Sequence, residues 1–101
     1  MAATRGDLDT VAELVKRALV PYNRKPDEVD IEVLVERLLD CGILLLTEVV
    51  DLDGAAAPLA DWHELTSAGP GDGPLARWNY ARGLARTLRR MLQLMPAAAS
   101  R

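Results

Sequence analysis

Residues 27–52, DEVDIEVLVERLLDCGILLLTEVVDL, hold no proline and one glycine. Their apolar side chains recur at three- and four-residue steps. On a helical wheel Ile31, Leu34, Val35, Leu38, Leu39, Leu45, Leu46, Val49 and Leu52 cover about half the circumference, with Glu32, Glu36, Asp40, Glu48 and Asp51 opposite. Pro26 and the acids Asp27, Glu28 and Asp30 suit the positive end of a helix dipole. The competing reading is a pair of strands, because IEVLVE alternates with period two and ILLLTEVV resembles a buried strand. Leucine-rich composition, helically spaced acids and the lack of a turn signal between Glu36 and Asp40 decide for one helix over 27–52, roughly 35–40 Å long. A stripe this wide needs more than one neighbour, and Val33 and Leu44 add apolar spots on its far side.

The rest of the chain must supply those neighbours from an aliphatic stock. Hydrophobic residues make up 50% of the 101 residues, yet there is no Phe, and the aromatics are Tyr22, Trp62, Trp78 and Tyr80. Leu and Ala favour helices, whereas strands draw on β-branched and aromatic residues. Before the long helix, Leu8, Val11, Ala12, Val15, Ala18 and Leu19 form a stripe over about 8–20, with Thr10 and Glu13 at capping-box spacing and Pro21 as the stop. After it, residues 53–74 hold four glycines and three prolines and read as a linker, with at most one short helix in PLADWHEL. A connection that long is unusual in a compact domain. Leu59, Trp62 and Leu65 are therefore expected to pin it to the bundle. A last helix spans about 75–95, ended by Pro96, with 96–101 as a frayed tail. The fold expected is all-α and a single domain over 1–101. In it the helices 27–52 and 75–95 form an antiparallel pair, and the shorter 8–20 helix packs across them.

Charge is distributed unevenly along this chain. All 15 acids and six of the 12 bases lie in residues 1–72, while residues 73–101 carry six bases and no acid. The last helix, RWNYARGLARTLRRMLQLM, places Trp78, Ala81, Leu84, Ala85, Leu88, Met91, Leu92 and Met95 on one arc. Arg82, Arg86, Arg89 and Arg90 fall on another arc, about 100° wide. Such a face either grips phosphate, binds a protein partner, pairs with the acids of the second helix, or is solvated. Four bases on phosphates give a salt slope of at most about −3.6, weak for a monomer. A helix-turn-helix also needs a short helix and tight turn where this chain has its Gly/Pro stretch.

Catalytic and metal patterns are sparse. DWHEL gathers Asp61, His63 and Glu64, but adjacent helical residues do not converge, and there is no second histidine. DLDG at 51–54 starts like a calcium loop, but Ala and Pro follow where ligands are required. Lone Cys41 reads as a small buried hydrophobe, and Gly42 on the apolar face as either a close helix crossing or a tolerated kink. No cofactor, metal site or catalytic residue is expected. The opening residues lack the order of a signal peptide, and no apolar run is long enough for a membrane span, so a cytoplasmic protein is expected.

The pair ERLLDCGILLLTEVV and WNYARGLARTLRRML is similar to small actinobacterial helical proteins of unknown function, some labelled natural-product-biosynthesis accessory proteins. That resemblance spans about residues 30–95 and implies cellular context rather than mechanism. The leading expectation is a non-enzymatic regulatory or accessory module that acts by protein–protein interaction. Homodimerisation is one form of it, Arg82, Arg86, Arg89 and Arg90 are the candidate partner-binding face, and Val33, Leu44 and Trp78 are the candidate apolar interface. The alternative is a small DNA-associated regulator using the same arginines. A third is a ligand pocket around Trp62 and Trp78.

Overall fold

Four α-helices and one short 3-10 turn make up the computed structural model, which describes residues 4–73 and 75–95. The chain order is α1 (Arg5–Ala18), the 3-10 turn Tyr22–Arg24, α2 (Glu28–Val49), α3 (Ala56–Ala68) and α4 (Ala76–Leu94). Among the described residues there is no strand, and the all-α expectation holds. The expected tail 96–101 lies outside the described residues.

Helix α1 starts earlier than the Thr10–Glu13 spacing predicts. Thr4 is the N-cap: its hydroxyl accepts from the Asp7 amide at 3.0 Å, while the Asp7 carboxylate accepts from the Thr4 amide at 2.9 Å. This reciprocal pairing satisfies two donors that an uncapped helix leaves orphaned. Thr10 sits inside the helix and donates to the Gly6 carbonyl. The buried stripe is Val11, Leu14, Val15 and Ala18; Leu14 takes the place expected for Ala12, which is exposed. Helix α2 matches its expected span within a few residues. Asp27 is its N-cap, accepting from the Asp30 amide at 2.9 Å. Its buried face carries Ile31, Leu34, Leu38, Leu45 and Val49, with Cys41 and Gly42 among them.

The segment expected to be a linker over 53–74 is largely a helix. Gly54, at φ 86, turns the chain after α2, and α3 then runs for 13 residues to Gly69, at φ 73. Both glycines occupy left-handed conformations that a side chain disfavours. Pro58 does not break α3, because it lies in the first turn, where its missing N–H would have had no partner. Trp62 is buried and Leu59 and Leu65 pack half-buried against the core, as expected of residues that pin this stretch.

Because α3 reverses the chain, α2 and α4 do not form the expected antiparallel pair. The starts of the two helices lie together, Arg77 of α4 reaching Glu28 at 3.4 Å and Glu32 at 3.8 Å. Their ends lie together as well, with Leu94 close to Gly54 just beyond α2. They therefore run in the same direction, with α1 and α3 opposed to them. Helix α4 packs against all three others. Accordingly Trp78, Tyr80, Ala81, Leu84, Ala85, Thr87, Leu88 and Met91 are buried over about half its circumference.

Candidate functional site

The arginines of α4 share a helix face but not an environment. Arg82 is half-buried and donates to the carbonyls of Ala18 and Val20, the first of them at 3.1 Å. These acceptors lie at the end of α1, where helix carbonyls have no intrahelical donor and the dipole favours a cation. Its guanidinium also sits 4.7 Å from the Tyr22 ring centroid and 5.6 Å from that of Trp78. Tyr22 meets Trp78 edge-on, with centroids 6.5 Å apart, and its hydroxyl hydrogen-bonds Asn79. Arg82 is thus a clamp that ties α1 and the connection after it to α4.

Arg90 pairs with Asp61 of α3, which gives the acid of DWHEL a structural partner. Arg77 spans Glu28 and Glu32, an exposed contact of the kind worth under about 1 kcal/mol. Arg86 and Arg89 are exposed and form no ion pair among the described residues. The basic face of four is reduced to two free guanidiniums beside one paired one.

The candidate apolar interface divides in the same way. Trp78 is 1% exposed and belongs to the core, so it offers no surface to a partner; its indole N–H is buried and has no acceptor among the described residues. Leu44 is half-buried. Val33 alone is exposed, and it does not stand alone. Val29 (68% exposed), Val33 (45%) and Ile43 (66%) lie along α2, and Val50 (56%) is its C-cap. With Glu36, Asp40 and Thr47 they complete an unbroken alternation of four- and three-residue steps. This outward stripe faces away from the side that holds Ile31, Leu38 and Leu45. The alternation was present in the sequence, hidden behind the stronger inner stripe of the same helix.

Trp62 and Trp78 fill the core rather than line a pocket. An open groove of about 690 Å³ lies instead between α1 and α2, lined by neither tryptophan. Arg17, Arg24 and Arg37 border it, and their wide separation in the sequence gives no local signal of the grouping. Cys41 is buried beside this helix face. Burial raises its pKa above the ordinary 9.0, with Asp40 adding to the rise and Arg37 opposing it. Tyr80 is likewise raised above 10.0 by burial. No helix among the described residues is long and apolar enough to cross a membrane.

These features define an all-α bundle with a central C-terminal helix and two unpartnered features on or beside α2. The chain belongs to the family described as a family of unknown function (DUF6415), whose pattern it matches over residues 9–100. No curated protein and no solved structure matches it.

Proposed function

We propose that the protein is a cytoplasmic, non-enzymatic interaction module that docks a basic amphipathic helix of a partner protein along the outer stripe of α2. The observation that carries this reading is the stripe itself. Four large aliphatic side chains stand in water at heptad spacing, with acids Glu32, Glu36, Asp40 and Asp51 in or beside the row. Isolated surface valines are ordinary, but four aliphatic side chains on one helix face, interleaved with Glu36, Asp40 and Thr47 at coiled-coil spacing, make a mixed apolar and acidic row of the kind a helix-binding surface can use. Its acids favour a partner helix rich in Lys and Arg.

A second copy of the chain is a poorer occupant. Two α2 stripes laid antiparallel about their centre bring Asp40 opposite its symmetry mate and Glu36 beside Ile43. The DNA-associated reading is weakened because Arg82 caps α1 and Arg90 is paired. The two unpaired bases left on the α4 face account for a salt slope of only about −1.8, and the acids elsewhere repel a polyanion.

A labelled 21-residue peptide, with leucine at heptad core positions and lysine elsewhere, tests the chemistry by fluorescence anisotropy. Binding that Val29→Glu and Ile43→Glu abolish, and that a glutamate-for-lysine peptide does not reproduce, is the expected result. Undiminished binding by the Val29→Glu and Ile43→Glu variants would sink it. Random duplex DNA titrated at low salt provides the rival arm, and light scattering across concentration reads self-association.

A further inference from the structure

The groove between α1 and α2 carries a second assignment; it borders the outer stripe at Val33 and otherwise has its own lining. Its charged rim is drawn from three separate segments: Arg17 from the last turn of α1, Arg24 from the 3-10 turn, and Arg37 from the middle of α2. None of these guanidiniums forms an ion pair among the described residues, although the chain as a whole is acidic, at net −3. Asp30 is the one acid lining the groove, so the rim keeps a surplus of two positive charges. The apolar lining is Leu14 and Leu34, both core residues, with Val20, Pro26 and Val33.

Like charges gathered in excess are unfavourable, and three arginines with one acid around a partly apolar groove are a feature that packing alone does not require. Guanidinium groups are weakly hydrated and take carboxylate or phosphate oxygens in bidentate pairs. The volume, about 690 Å³, falls within the ~300–1,000 Å³ of small-ligand sites and is too small for a folded partner. We propose that this groove binds a soluble anionic amphiphile, a carboxylate or phosphate carried on a short apolar chain, with the anion on Arg17, Arg24 and Arg37 and the chain on Leu14, Val20 and Leu34.

Amide chemical-shift titrations of the full chain with octanoate, octyl phosphate and octanol, at constant ionic strength, test the proposal. Octanoate and octyl phosphate should shift amides near Leu14–Val20 and Val33–Arg37, and octanol should bind at least about tenfold more weakly, as loss of charge-assisted hydrogen bonds implies. Arg17→Gln with Arg37→Gln should reduce octanoate affinity by about the same factor while leaving the melting curve unchanged. If that double variant does not fold, Arg24→Gln, which lies outside the four helices, supplies the same comparison. Equal binding of octanol and octanoate, shifts confined to the outer stripe of α2, unaltered affinity in the variants, or no response at millimolar ligand would each overturn it. Co-sedimentation with phosphatidylglycerol vesicles without a response to free octanoate would also overturn it, assigning the arginines to a membrane surface. Val33 borders both surfaces, so Arg17, Val20 and Arg24 report on the groove and Ile43 and Val50 on the stripe, which keeps failure here distinguishable from failure of the peptide-docking reading.

Discussion

The six-membered ring of Trp62 lies where a side chain at Gly42 would have to be. A Cβ built at residue 42 would fall inside the contact distance of Trp62 Cζ2 and Cη2 and only 2.6 Å from Cε2. Of the two readings of Gly42 available from the sequence, the close crossing is the one realised: α3 approaches α2 through an aromatic ring laid against bare backbone. Gly42→Ala gains about 1 kcal/mol of helix propensity but displaces a buried indole, and overpacking of this kind costs about 1–3 kcal/mol, more where the neighbour is a rigid ring. Urea denaturation is expected to show a net loss of about 2 kcal/mol. In a double-mutant cycle with Trp62→Leu, the two losses should be strongly non-additive.

Arg82 predicts a second asymmetry. Arg82→Ala leaves the Ala18 and Val20 carbonyls without their donor and removes the cation over Tyr22, and should destabilise by about 2–3 kcal/mol. Arg86→Ala, on the same helix face but exposed, should change stability by less than about 0.5 kcal/mol. Equal effects of the two substitutions in thermal denaturation would mean that Arg82 is not the clamp described.

The start of α1 can be located by substitution. Thr4→Ala removes the N-cap acceptor and should cost about 1 kcal/mol, whereas Thr10→Ala removes a hydroxyl bonded back to Gly6 within the helix and should be near neutral. A capping box at Thr10 and Glu13 requires the reverse order.

Alkaline pH should weaken the fold. Burial holds Cys41 and Tyr80 protonated above their ordinary values of 9.0 and 10.0, so on raising the pH the unfolded chain releases these protons first. Stability is therefore unaffected by these groups below about pH 9 and falls as pH rises through the window above it. Melting temperatures measured from about pH 8 to pH 11 should decline, and Cys41→Ala with Tyr80→Phe should flatten the decline.

How much of this was legible in the sequence follows from what each residue depends on. The inner stripes of α1, α2 and α4 depend on periodicity alone, and Ile31, Leu38, Leu45, Leu84 and Leu88 are buried as their spacing requires. Helix α3 was legible only as a short helix in PLADWHEL, because AAPLADWHELTSA has little amphipathic pattern and is bracketed by Gly54 and Gly69, so its turn signals outweighed its helix formers. Missing that reversal also inverted the relation of α2 to α4. Four arginines on one arc looked equivalent, yet their fates were set by what crosses that arc: the end of α1 at Arg82, Asp61 of α3 at Arg90, and open solvent at Arg86 and Arg89. Contacts between segments 29 to 64 residues apart leave no local trace. Arg17, Arg24 and Arg37 are scattered along the chain, and only the fold gathers them around a groove.

Site-specific photo-crosslinking in the native cell tests most directly whether the outer face of α2 is where a partner sits. A benzophenone side chain at position 43, on the exposed stripe, is compared with the same group at position 86 on the arginine face. A discrete protein adduct from position 43, lost when Val29→Glu and Val50→Glu are added and not formed from position 86, is the predicted outcome. Adducts from position 86 alone, to protein or to DNA, would contradict it.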